Sequence, residues 1–281
     1  ISSKFGKSLK ERFLGTHFFN PPRYMKLLEI IPGKETKKEV VDYMIAFGER
    51  VLGKGIVVCK DVPNFVGNRI GVFDISNAVR LMVDKGLKID EVDAVIGKAV
   101  GRPGSSIFGT LDLVGLDTGY HVMKNLYEAV PDDEARESFL PLPFMDKMME
   151  LKWLGNKTKG GFYKKTKDAK GKKTKLMLDY EKMEYVPAGR PKFESVSAAK
   201  KKSDEGVAAT IKTIFYGKDA ASELVREYLC NNFIYAANRV PEICENITAI
   251  DNAMKWGYNH ALGPFESWDA VGVKESVEIM K

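Results

Sequence analysis

Histidine and cysteine are scarce in this chain of 281 residues, with three of each. Cys59, Cys230 and Cys244 are odd in number and lack metal-ligand spacing, which argues against a disulfide scaffold and against a bound metal. A reducing cytoplasm is the expected compartment. No run of about 18 apolar residues occurs, so a membrane-crossing helix is not expected, and no secretory signal pattern is present. Also missing is any Gly-x-Gly-x-x-Gly run, the strand-to-helix turn whose glycines let a backbone approach a pyrophosphate. A complete dinucleotide site of that kind is therefore not expected within these residues.

The remaining composition is that of a folded chain, 44% hydrophobic and 29% charged, long enough for about two domains. Its formal net charge of +6 is unevenly placed. Residues 157–202 carry fifteen Lys or Arg against five Asp or Glu, a local +10 that leaves the rest of the chain at −4. Seven of those lysines lie between Lys164 and Lys175, with few aromatics among them. A charge run without stacking residues or a recognition motif is expected to be a solvated linker or hairpin, and nucleic acid is not expected as a partner.

Hydrophobic periodicity divides the chain. Residues 1–60 read as strand, strand, helix, strand: one strand running through His17 into a Pro-Pro turn, a second over Tyr24–Ile31, a helix over Thr36–Leu52, and Gly55–Cys59. Thr36 and Glu39 have the spacing of a capping box, and Val40, Met44, Phe47 and Val51 share one helical face. From Phe65 the period becomes helical until Gly86, a new helix starts near Asp90, and helices predominate to about residue 150. After the basic stretch the pattern returns. Ile89-Asp90-Glu91-Val92-Asp93-Ala94-Val95 is echoed by Asn246-Ile247-Thr248-Ala249-Ile250-Asp251-Asn252-Ala253-Met254, and the Asp112–Gly115 turn by Asp269–Gly272.

The sharpest chemical signal is Gly15-Thr16-His17-Phe18-Phe19-Asn20-Pro21, followed by Glu29 inside Leu27-Leu28-Glu29-Ile30-Ile31. A carboxylate among Leu and Ile needs a partner, and a histidine twelve residues earlier could be that partner, as a general base with its orienting acid. The residues alone leave a second reading open, a satisfied core histidine beside a strand-edge glutamate. Asn20 and Asn68 read by themselves as turn or cap residues, and Lys157 as a surface lysine.

Residues 13–31 resemble the catalytic stretch of the L-3-hydroxyacyl-CoA dehydrogenases. Asp61-Val62-Pro63-Asn64-Phe65-Val66-Gly67-Asn68-Arg69 resembles the segment that opens the family's helical domain, and Lys157-Thr158-Lys159-Gly160-Gly161-Phe162-Tyr163 the one that closes it. Between them, Phe108 to Asp117 resembles the family's helix-turn signature, while Arg102-Pro103-Gly104-Ser105-Ser106 departs from its usual form. The likeness covers residues 10–165 and is specific, because the segments occur in order.

The resemblance implies a mainly α protein with an α/β remnant. Residues 1–60 would be the C-terminal part of a Rossmann-type domain, lacking the N-terminal NAD-binding half. Two tandem helical domains of the 6-phosphogluconate dehydrogenase C-terminal type would follow at 61–165 and 206–281, joined by a basic linker at 166–205. It implies His17 as base, Glu29 as its orienting acid, and Asn68 in the active-site cleft. Asn20 would contact NAD, the cofactor of a full-length parent, and help hold the reacting carbonyl, and Lys157 would reach NAD from the end of the helical domain. The implied reaction oxidises a (S)-3-hydroxyacyl-CoA substrate to 3-oxoacyl-CoA in fatty-acid metabolism. Members with two helical copies are often longer proteins fused to an enoyl-CoA hydratase domain, and the two copies would form an intramolecular pseudo-dimer. The 281 residues alone are expected to be inactive. Two other readings compete: a β-hydroxyacid dehydrogenase with a lysine base, which leaves His17 and Glu29 unexplained, and a non-catalytic helical dimerisation or CoA-binding module.

Overall fold

Apolar alternation around a short turn sets the first elements of a computed structural model that describes residues 2–167 and 171–281. After a single turn, α1 (Lys7–Lys10), come β1 (Leu14–Phe18), β2 (Leu27–Pro32), α2 (Lys38–Arg50) and β3 (Gly55–Val58). Helices α3 (Gly67–Asp84), α4 (Ile89–Val95), α5 (Phe108–Val114), α6 (Leu116–Ala129) and α7 (Pro143–Glu150) follow. Strands β4 (Tyr163–Lys167), β5 (Lys173–Asp179) and β6 (Glu184–Pro187) lead to α8 (Glu194–Lys201), α9 (Val207–Phe215), α10 (Ala220–Asn238), α11 (Ile247–Gly257), α12 (Pro264–Val271) and α13 (Val273–Met280).

Two expectations change and a third is extended. The second strand begins at Leu27 instead of Tyr24, because the Tyr24 and Met25 amides both close a turn on the Pro21 carbonyl. The capping box does not form, since the Thr36 hydroxyl accepts from the Gly33 amide and donates to the Phe13 carbonyl, leaving α2 to start at Lys38. The basic stretch, expected as a solvated linker or hairpin, contains the β4–β5 hairpin, which β6 extends into an antiparallel meander followed by α8. Along β5, exposed Lys173 and Lys175 alternate with less exposed Thr174 and Leu176 before the strand ends in the core. Met177 and Leu178 are buried, while Lys175 and Lys164 lie over the rings of Tyr163 and Tyr185, 3.2 and 5.3 Å from their centroids. Lys170 lies outside the described residues.

The chain forms two compact units that cut across the boundaries expected from the sequence: residues up to Gly71 with Phe233–Ser267, and Val72–Asn232 with Trp268–Lys281. In the first, β1 pairs antiparallel with β2, and β2 parallel with β3. Leu27, Leu28 and Ile30 are completely buried in it. Successive residues of β2 face opposite sides, and the glycines show what covers each. A Cβ on Gly48 of α2 would meet Ile56 and Leu28, whereas one on Gly257 of α11 would meet Leu27 and Phe19. Helices α2 and α11 therefore sandwich the sheet. Arg69, at the start of α3, is 1% exposed and donates to Tyr235 (2.7 Å) and Glu242 (3.0 Å).

The second unit is centred on a buried polar cluster between α3 and α10. Asp74 accepts from Arg102 (2.5 Å), Tyr228 (2.7 Å) and Asn232 (2.9 Å), and the Asn77 amide donates to the Tyr228 carbonyl. Asp112 accepts from the amides of Phe162 and Tyr163 and so ties the start of the meander to α5. Two aspartates, one in each unit, make the same local bond. Asp93 accepts from the Ile107 amide and Asp251 from the Phe265 amide, each fourteen residues on, and burial pushes both carboxyls up to about 6. Gly115 and Gly272 also match, with φ of 100° and 96° ahead of α6 and α13.

Candidate active site

The ladder between β1 and β2 makes His17 and Glu29 direct cross-strand partners, so their side chains leave the same face of the sheet. His17 Nδ1 lies 2.6 Å from Glu29 Oε2. The Glu29 side chain is fully buried and that of His17 is 32% exposed. The acid therefore stands behind the ring, and the ring stands at the surface.

Glu29 is satisfied by more than the histidine. Its Oε1 accepts from the amides of Gly67 (2.8 Å) and Val66 (3.1 Å) and from the Cys59 thiol (3.4 Å). Those amides open α3, an eighteen-residue helix whose dipole favours an anion there. They face Glu29 because Asn64 and Phe65 adopt left-handed φ values of 63° and 51°, a conformation that costs on the order of 1–2 kcal/mol per residue. Burial raises the Cys59 thiol above its ordinary pKa, with the Glu29 charge adding to the effect. It stays protonated and serves as a donor.

With both Glu29 oxygens engaged as acceptors, Nδ1 of His17 carries the proton and Nε2 keeps its lone pair. The ring is held by Phe19 and Phe65, whose centroids lie 5.0 and 5.7 Å away. Two of the glycines leave room for Phe19, since a Cβ on Gly67 or Gly257 would come within 2.6 or 3.1 Å of its ring. A partly exposed ring with one nitrogen fixed by a buried carboxylate fits a general base.

Asn68 follows on the first turn of α3, and its Oδ1 accepts from the Tyr258 hydroxyl at 3.0 Å. Asn20 is exposed in the bend after β1. Lys157 belongs to the second unit, in a single 3-10 turn, where its Nζ lies 2.5 Å from Asp117 Oδ1. Sequence reasoning missed Cys59, Tyr258 and the Val66 and Gly67 amides. Cys59 directly follows the β3 run and carried a local signal; Tyr258, 190 residues from Asn68, carried none.

Elsewhere in the second unit, a cavity of about 810 Å³ is lined by Asp90, Asp93, Asp112, Lys159, Lys175 and Arg190 among others, and none of the five candidate residues lines it. Asp93 and Asp112 are spent there on backbone amides, and burial lowers the Lys175 pKa.

Residues 3–62 match the 3-hydroxyacyl-CoA dehydrogenase NAD binding domain, and residues 65–165 match the 3-hydroxyacyl-CoA dehydrogenase C-terminal domain. The chain belongs to the 3-hydroxyacyl-CoA dehydrogenase family. A Bacillus subtilis (strain 168) protein named "Probable 3-hydroxyacyl-CoA dehydrogenase" is 46% identical over 96% of this chain and 33% of its own length. The fatty acid oxidation complex subunit alpha of Acinetobacter baumannii (strain AYE) is 35% identical over 62% of this chain and 24% of its own length. The chain thus spans about a third or less of these relatives. Among solved structures, a 3-hydroxybutyryl-CoA dehydrogenase from Escherichia coli K12 shares the fold, with a TM-score of 0.69 and 22% identity over 96% of this chain and 66% of that one. The match to residues 3–62 corrects one expectation: a chain lacking the NAD-binding half is not supported, because part of the NAD-binding domain is itself recognisable here. No described helix is long and apolar enough to cross a membrane.

Proposed function

We infer that the protein carrying this chain is an NAD-dependent 3-hydroxyacyl-CoA dehydrogenase. In this reading it oxidises (S)-3-hydroxyacyl-CoA to 3-oxoacyl-CoA in fatty-acid metabolism, in a reducing cytoplasm where Cys59, Cys230 and Cys244 stay free. The observation that carries it is the His17–Glu29 pair, with Nδ1 held by a buried carboxylate and the ring partly exposed. His17 Nε2 takes the hydroxyl proton, and Glu29 stabilises the imidazolium that results. The buried carboxylate already accepts from two amides, so it orients the ring without taking the proton itself. Asn68 donates through its Nδ2 to the oxygen that becomes the carbonyl.

NAD, when bound, accepts the hydride. Asn20 would hold it, and its exposed side chain beyond the end of β1 is compatible with that role; Lys157, the other residue the resemblance implies for NAD, pairs with Asp117 within the second unit. Oxidation by these 281 residues alone is not proposed. They contain no Gly-x-Gly-x-x-Gly turn to receive the pyrophosphate, which favours a binding or dimerisation role for these residues by themselves.

The repeated bonds of Asp93 and Asp251, and the matched turns at Gly115 and Gly272, support reading 61–165 and 206–281 as tandem helical copies that satisfy one another's apolar surfaces, as in a pseudo-dimer. The full-length protein should reduce NAD with 3-hydroxybutyryl-CoA, while the 281 residues should give neither turnover nor a calorimetric NADH signal. A full-length protein without turnover on any 3-hydroxyacyl-CoA would overturn the reading.

A further inference from the structure

Tyr258 lies just past α11, far along the chain from every residue of the candidate site, yet it enters that site. Its hydroxyl donates to Asn68 Oδ1 at 3.0 Å. Its ring meets Phe19 edge-on at 5.7 Å, and Phe19 in turn lies 5.0 Å from the His17 ring. The ring also rests on the bare backbone of α3 one turn beyond Asn68, since a Cβ on Gly71 would fall 2.0 Å from the Tyr258 Cζ. One tyrosine is thus wedged between the helix that carries the asparagine and the aromatic that flanks the histidine.

A carboxamide is nearly symmetric in shape but not in chemistry: one end accepts, the other donates. Left alone, the Asn68 side chain could turn either end toward a ligand. A hydroxyl that donates to Oδ1 removes that choice and leaves the two Nδ2 hydrogens to an acceptor. An oxygen gaining carbonyl character is such an acceptor, and a fixed donor serves it better than one that must first rotate.

We propose that Tyr258 is a positioning residue that fixes the orientation of the Asn68 amide, so that the segment 233–267 completes the dehydrogenase site. The proposal rests on the reading that Asn68 contacts the substrate oxygen. The two are separable by experiment in the full-length enzyme. Asn68→Ala tests the reading, and Tyr258→Phe, which deletes only the hydroxyl, tests the positioning.

With 3-hydroxybutyryl-CoA, Tyr258→Phe should lower kcat about tenfold, the effect of one lost hydrogen bond that holds a reacting group, with the KM for NAD unchanged. Added to Asn68→Ala it should cost nothing more, because the group it positions is gone. Asn68→Ala with wild-type kcat would overturn the reading, and the proposal with it. A large Asn68→Ala effect with a silent Tyr258→Phe, or additive losses, would overturn the positioning alone. If Tyr258→Phe does not fold, 3,5-difluorotyrosine at 258 carries the test. Its hydroxyl ionises near neutral pH and then no longer donates, so kcat should fall as pH rises through that ionisation, relative to the wild-type profile. A profile parallel to wild type would refute the assignment.

Discussion

His17 Nδ1 and Glu29 Oε2 stand 2.6 Å apart across a single rung of the β1–β2 ladder, the histidine at the surface and the carboxylate without solvent contact. The rung makes the pair a property of strand register. A slip of one residue would move Glu29 to the opposite face of the sheet.

His17→Gln in the full-length enzyme should reduce kcat by roughly a hundredfold or more, the usual contribution of a positioned base, with the NAD dissociation constant little changed. Steady-state kinetics beside NADH titration reads both. Wild-type turnover would remove His17 as the base.

Glu29 should matter for stability as well as chemistry. Glu29→Ala strands the buried amides of Val66 and Gly67 and the Nδ1 hydrogen of His17, and should cost the 281-residue chain about 2–4 kcal/mol in urea unfolding. Glu29→Gln keeps an acceptor for the amides and should cost less than half as much. Equal costs would mean that the amide contacts contribute little.

Removal of the Asp74 carboxylate takes away the 2.5 Å ion pair of buried Arg102 and the acceptor shared by Tyr228 and Asn232. Asp74→Ala should therefore destabilise by about 3–5 kcal/mol, and Asp74→Asn by less, as Tyr228 could still donate to it. A loss under about 1 kcal/mol for Asp74→Ala would show that water compensates the guanidinium.

Asp219 gives a pH test with a definite sign. Burial would raise its carboxyl, but hydrogen bonds from the amides and hydroxyls of Ser195 and Ser222 outweigh it and bring the pKa down to about 2. A depressed folded-state pKa stabilises above the unfolded value, near 4, and that benefit disappears as the pH falls toward 2. The stability advantage of wild type over Asp219→Ala should be constant from pH 7 to about 5 and shrink below 4. Urea midpoints across that range measure it, and an advantage independent of pH would contradict the assignment.

The α/β beginning and the long helix ending near Gly86 were legible because each rests on local spacing, while spacing left the pairing of His17 with Glu29 open and the family resemblance favoured it. A carboxylate among Leu and Ile demands a partner, and a turn after His17 returns the chain alongside it. Other features were hidden because they depend on residues distant in sequence. The Thr36 hydroxyl bonds Phe13, 23 residues back, instead of capping its own helix. The lysines of the basic stretch read as a solvated linker or hairpin, and those described are exposed on the β4–β5 hairpin; what composition did not reveal is that the Nζ groups of Lys164 and Lys175 lie over tyrosine rings. Nor does spacing reveal that residues 233–267 pack with the N-terminal sheet, a grouping that brings Tyr258 to Asn68.

Cys59 gives the site a built-in gauge of its own breathing. The thiol is 3% exposed, protonated, and held behind the carboxylate that α3 clamps with its first amides. Cys59 also lines a cavity of about 400 Å³ with Val58, Lys60 and Cys244, so a small alkylating reagent has an approach from that side, and its labelling rate should rise whenever the contacts to Glu29 loosen.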